Sequence, residues 1–167
     1  MVVSAVMGAL GLVLPVAFHT VGLGSHFLPM LLPLLLNGFL TPLPWAAGTA
    51  LLVPLLSAAA TGMPPLYPPV ALVVAGEAFL MASIASLFRR AARRNVWIVL
   101  IPAVAAGRAA AFGLSWILAQ AFDLPPGFVS VAAVVHGLPG VALQLTVIPL
   151  VLRFVRRRPG LLFSEER

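Results

Sequence analysis

Residues 18–39 read FHTVGLGSHFLPMLLPLLLNGF and residues 54–79 read PLLSAAATGMPPLYPPVALVVAGEAF. Around these proline and glycine phrases the chain is almost unbroken hydrocarbon. Lipid-exposed irregular backbone is not tolerated at membrane depth, so the phrases should line a pocket enclosed by protein, and the apolar runs between them should be helices. Such a pocket is where function is to be sought.

The composition points the same way. Of 167 residues, 62% are hydrophobic and 8% charged, and the mean hydropathy is +1.12. That leaves too little polar surface to coat a soluble globule of this size, which makes the chain an all-α integral membrane protein. With no cysteine, disulfides, thiolate metal sites and thiol nucleophiles are excluded. The net charge of +6 comes from arginines placed almost entirely at segment ends, a pattern explained by topology rather than by nucleic-acid binding. The first residues, MVVSAVMGALGLVLPVAF, lack a basic n-region and an evident cleavage site, and are expected to be a retained helix.

A spanning helix needs about 20 apolar residues. The punctuation yields six segments, near residues 2–18, 29–41, 44–61, 69–88, 95–120 and 129–153. The second is short or broken, lying between Pro29 and Pro42. Arg89, Arg90, Arg93 and Arg94 follow the fourth segment, and Arg153, Arg156, Arg157, Arg158 and Arg167 follow the sixth. By the positive-inside rule both clusters are cytoplasmic, which predicts a six-transmembrane-helix bundle with both termini cytoplasmic. Residues 1–167 are expected to be one transmembrane domain, with 157–167 a short polar tail. The opposite loops, residues 19–28, 62–68 and 121–128, hold no arginine or lysine.

Few ionisable groups lie inside the bilayer. Glu77 and Arg108 each cost about 2.5–3.5 kcal/mol on insertion scales if charged at a helix centre, so each needs a partner. Counting back from the arginine clusters places them about 18 and 20 Å from that face, at matching depth on antiparallel helices. They are read either as an ion pair that fixes helix packing or as the floor of a ligand site. His136 and Gln144 stand eight residues apart, nearly on one helical face, either contacting a ligand or satisfying a neighbouring broken helix. His19 and His26 flank the turn TVGLGS; two histidines make an incomplete metal site, and a third ligand would require His136 to converge on them. Met30, Met63 and Tyr67 sit in the proline phrases at the outer end, as core filling and interfacial anchoring or as ligand contacts. Asn37 either caps freed carbonyls or points at substrate. Helix one carries two small-residue stripes, Ala5 with Ala9 and Ser4 with Gly8, which suit close helix packing inside the fold or against a partner.

Together GSHFLPMLLPLLLNGF, PLLSAAATGMPPLYPPVALVVAGEAF, AGRAAAFG and HGLPGVALQLTVIPLV resemble the substrate-binding S components of energy-coupling factor (ECF) vitamin transporters. The branch they are most similar to includes carriers proposed for hydroxymethylpyrimidine, pantothenate and dimethylbenzimidazole. The resemblance covers essentially the whole chain and implies a non-enzymatic binding subunit of an ECF-type ABC importer in the prokaryotic cytoplasmic membrane. It implies a vitamin or precursor pocket near the external face, roofed by residues 19–28 and 62–68, with His26, Met30, Met63, Tyr67, Glu77, Arg108, His136 and Gln144 as substrate-binding residues. It also implies docking through Ala5 and Ala9 onto a transmembrane T component that carries two cytoplasmic ATPases. With no Walker motif in this chain, no cofactor is expected on it, and ATP would be used by the partners.

Leu31 and Leu32 stand where the branch commonly has a polar or histidine-bearing MHIP-like phrase, and the pocket phrases hold few amides. Fewer fixed donors favour a flat, weakly polar cargo such as a benzimidazole or a substituted pyrimidine over pantothenate, whose carboxylate would want a free arginine. Two other readings stand beside this one. An intramembrane hydrolase would use Glu77 and histidines around a metal or an activated water, but the chain has no HExxH or paired-Glu motif. A stand-alone homo-oligomeric carrier would need no partner ATPase.

Overall fold

Helices in this chain begin and end where proline and glycine dictate. The structure, a computed structural model, describes residues 1–20, 22, 28–125 and 137–157, without the side chains of residues 19 and 20. His26, His136, residues 158–167 of the tail and the side chain of His19 therefore lie outside the described residues.

Seven helices and no strand are found among the described residues: α1 (Val2–Thr20), α2 (Leu31–Leu40), α3 (Leu43–Thr61), α4 (Val70–Leu87), α5 (Arg89–Arg94), α6 (Trp97–Ala121) and α7 (Leu138–Arg156). Pro42 precedes α3 in an extended conformation, where a residue without an N–H loses nothing. Gly62 ends the same helix in the left-handed region, its N–H donating to the Ala58 carbonyl. Each of the six apolar segments expected from sequence holds one helix, and the described part of the last begins at Leu138. The addition is α5, formed within the arginine link because RRAARR contains only good helix formers.

Four helices, α3, α4, α6 and α7, are long and apolar enough to cross a membrane. The apolar stretch of α1, Val2–Phe18, and the ten residues of α2 are shorter. At 1.5 Å per residue α2 rises about 15 Å, half of a hydrocarbon core of about 30 Å. Outward-facing Leu51, Leu52, Leu56, Ile98, Ile101 and Phe112 are exposed, as suits helices solvated by lipid. The chain is a multi-pass helical membrane protein.

The short helix is the centre of the bundle. Eight of the ten α2 residues are buried, and α2 touches α1, α3, α4, α5 and α7. Its two sides serve different cores: Met30, Leu31 and Leu34 pack with α3 and α4, while Leu35, Leu36 and Phe39 pack with Met81, Leu100, Ile148 and Leu152. Contact with α4 is close enough to exclude any side chain at Gly38. A Cβ there would lie 2.5 Å from the Ala82 carbonyl oxygen and 2.9 Å from its Cα.

A buried polar network ties the arginine end of the bundle. Ser4 Oγ donates to Asn37 Oδ1 at 3.1 Å, Thr41 Oγ1 reaches the Asn37 carbonyl at 2.9 Å, and Ser86 Oγ donates to the Thr41 carbonyl at 2.8 Å. Three elements, α1, α2 and α4, are thereby joined where an unpaired polar group would be costly. Asn37 thus serves helix packing at this end. The two small-residue stripes of α1 also separate. Ser4 and Gly8 face inward, with Gly8 against Thr49 and Val53 of α3, whereas Ala5 and Ala9 are exposed on the outer face.

Candidate functional site

At the end of the bundle away from the arginine clusters, the link entering α2, the loop after α3 and the start of α4 enclose a hollow of about 330 Å3. Met30 and Leu31 form one wall, Met63, Pro64 and Pro65 another, and Val70 and Val74 of α4 a third, with Pro15 of α1 and the Leu28–Pro29 link closing the ring. We call this the proline end. The wall at residues 63–65 is set by the last turn of α3. Ser57 Oγ donates to the Met63 carbonyl at 2.7 Å, and the Met63 N–H donates to Thr61 Oγ1 at 3.2 Å. On its far side the Ala71 N–H donates to the Pro65 carbonyl at 3.1 Å. Across the hollow, Leu28 has a φ of +45°, unusual for a leucine, and its carbonyl accepts from the Leu31 N–H at 3.0 Å as the chain turns into α2.

Among the described residues, every side chain lining this hollow is apolar. Its volume falls at the small end of the usual range for ligand pockets, about 300–1,000 Å3. Proline supplies carbonyl acceptors but no N–H donors. The lining therefore favours a small, mainly apolar ligand and offers little to hold a charged group.

Of the residues expected to bind substrate, Met30 and Met63 are brought together here. Tyr67 is 70% exposed at the tip of the loop and does not line the hollow. Glu77 follows Val74 by three residues, about 4.5 Å deeper along α4. It forms an ion pair with Arg108 of α6, the carboxylate side chain 3% and the guanidinium side chain 21% exposed. Glycine beside each partner makes room for this approach: Leu114 sits against Gly76, and Met81 lies over Gly107. Gln144 of α7 is 1% exposed, its Oε1 without a hydrogen-bond partner, and it too lies outside the lining. His26 and His136 belong to the undescribed residues. Pro15, Val70 and Val74 were not anticipated as lining. The signal for Pro15 was its position inside an apolar helix, and that for the valines was their closeness to PPLYPP.

These features define a multi-pass membrane protein, helical throughout its described elements, with a small apolar-lined hollow at one end of its bundle. The family model for the ECF transporter substrate-specific component matches residues 1–152, and the chain belongs to that family. It is the substrate-binding component of a transporter and not an enzyme. Components of this kind bind small-molecule substrates and work with a T component and ATPases. No curated protein and no solved structure matches the chain.

Proposed function

We propose that this S component spans the membrane six times with both termini cytoplasmic, and captures a small, flat heteroaromatic vitamin or precursor, such as dimethylbenzimidazole or hydroxymethylpyrimidine, at its external face. The observation that carries the reading is the apolar hollow between Met30 and Met63 at the end remote from the arginines. Orientation follows from those arginines, which the positive-inside rule assigns to the cytoplasm of a prokaryotic cell. The Glu77–Arg108 pair supports the choice of cargo: with its guanidinium engaged by Glu77, Arg108 is poorly placed to receive a carboxylate such as that of pantothenate. His26, Tyr67, His136 and Gln144 complete the proposed ligand set as the walls close around cargo. Transport proceeds by a population shift between an outward-facing bound state and an inward-facing released state. The exposed Ala5 and Ala9 face of α1 takes a T component by close helix packing, and the two ATPases on that partner hydrolyse ATP, this chain binding no cofactor of its own.

Thermal unfolding of the detergent-purified protein against a panel of vitamins and precursors tests this reading. A ligand at 100 times its dissociation constant adds about 2.7 kcal/mol of stability. We expect one strong heteroaromatic hit, lost when the hollow is filled by Val74→Trp and weakened by Met63→Ala. A panel without a hit, or a hit indifferent to both substitutions, would overturn it.

A further inference from the structure

Glu77, Arg108 and Gln144 stand at nearly one depth on three helices. Counted from the arginine ends of those helices, Leu87 of α4, Trp97 of α6 and Arg156 of α7, they lie about 15, 17 and 18 Å along the bundle. The packing beneath them agrees. Met81, Val104 and Ile148 belong to one buried cluster, and one turn nearer the proline end on the same three helices come Glu77, Arg108 and Gln144. Arg156 fixes the register of α7 at its other end, its Nη2 donating to the Ala92 carbonyl at 2.7 Å and its Nη1 to the Arg93 carbonyl at 3.2 Å. Although Glu77 and Arg108 pair with each other, the layer is not satisfied. Gln144 is 1% exposed. Its Oε1 and the buried Nε of Arg108 have no hydrogen-bond partner among the described residues. One is an acceptor without a donor and the other a donor without an acceptor. Each is costly to bury in that state, and packing alone would be served as well by an apolar side chain at 144.

We propose that this layer is the polar end of the cargo site and binds the edge of a neutral heteroaromatic that offers a donor and an acceptor together; the inference rests on the reading of the apolar hollow as the place where cargo is held. Gln144 Oε1 accepts from a ring or amino N–H of the cargo. Arg108 Nε–H donates to a ring nitrogen nearby, while the fork of the guanidinium stays with Glu77. Val74 lines the hollow and Glu77 follows it by three residues, so the body of a planar cargo lies against Met30, Met63 and Val74 with its polar edge turned inward. The two regions divide the recognition. Among the described residues the hollow offers only apolar side chains, and the layer supplies the hydrogen bonds that fix orientation. Charge balance selects further: a carboxylate, a guanidinium and an amide sum to zero, so a cargo with a formal charge would lose its hydration here without a counter-charge. A benzimidazole, with N–H and N in one ring, and an aminopyrimidine, with an amino group beside a ring nitrogen, both present the required edge.

Gln144→Leu is the deciding variant, because it removes the acceptor and nearly keeps the volume. Without ligand it should hold or raise the melting temperature of the full chain in detergent, since it deletes a buried, unpaired amide oxygen. Its affinity for dimethylbenzimidazole or hydroxymethylpyrimidine, whichever stabilises the native chain, should fall at least about tenfold by calorimetry. Where the benzimidazole is the ligand, dimethylindole, with C–H in place of the acceptor nitrogen, should bind the native chain more weakly by a similar factor. Gln144→Met, unbranched like glutamine, should repeat the loss of affinity and guards against a packing defect in the leucine variant. Binding lost in Val74→Trp but indifferent to Gln144→Leu would leave the cargo in the hollow alone and overturn the polar layer. Binding kept in Val74→Trp but lost in Gln144→Leu would overturn the hollow and leave the layer standing. A melting temperature lowered by several degrees in both apolar variants would make the amide a packing element and remove its ligand role. If neither compound stabilises the native chain, the layer and the hollow fall together as a site for such cargo.

Discussion

At the proline end a hollow of about 330 Å3 is lined, among the described residues, by apolar side chains and bounded by a loop fastened to α3, whereas at the arginine end a hollow of about 560 Å3 has Arg89, Arg93 and Arg156 among its lining residues. The supports differ as much as the linings. The arginine end rests on packed helix and a buried network through Ser4, Asn37, Thr41 and Ser86. The proline end rests on links and a few bonds to backbone, with Met63 about half exposed. One end holds the bundle together and the other is free to be specialised for a ligand. Substitutions at the two ends should therefore fail in different assays.

The largest effect is expected between the two ends. Glu77→Ala leaves Arg108 buried without its carboxylate and should lower unfolding stability by about 3 kcal/mol, toward the lower part of the range for a broken buried pair because the guanidinium is partly exposed. A Glu77→Leu, Arg108→Met double variant should recover most of that loss in a thermal melt. Failure of the double variant to recover, together with lost ligand binding, would move the ion pair from scaffold to ligand site. Next comes Gly38→Ala, in which the added methyl meets the backbone of Ala82 and has nowhere to go, with an expected loss of about 1–3 kcal/mol by denaturant titration. The same change at Gly107 has side-chain atoms of Met81, and not backbone, as its nearest neighbours and should cost less, although the buried Met81 must shift from its Cγ outward. Equal losses at the two glycines would contradict the close α2–α4 contact. The smallest effect on stability is expected from Met63→Ala, within about 0.5 kcal/mol, as for other partly exposed positions. Its consequence should appear in ligand affinity, measured by calorimetry.

The contrast also shows what could be read from residue order. Helix positions were legible because proline and glycine interrupt the apolar runs, and the depth count that matched Glu77 with Arg108 anticipated their ion pair. Both rest on spacing along one chain. Face assignment was harder: Ala5 with Ala9 and Ser4 with Gly8 have the same period, and only packing against Thr49 and Val53 turns one stripe inward and the other outward. The direction of the GMPPLYPP loop was equally hidden. It depends on the left-handed Gly62 and on the hydroxyls of Ser57 and Thr61, which draw Met63 to the hollow while Tyr67 stands clear of it. Helix α5 escaped notice because its arginines were read for charge and not for helix propensity.

Trp45 near the start of α3 lines the hollow at the arginine end, and Ser57 and Thr61 near its finish grip Met63 at the other. The two hollows thus share one rod of 19 residues, about 28 Å long. Such a rod has the geometry of a seesaw. A tilt of about 10° around its middle would carry each tip roughly 2.4 Å, in opposite directions, and so would shift a wall at both ends in a single movement.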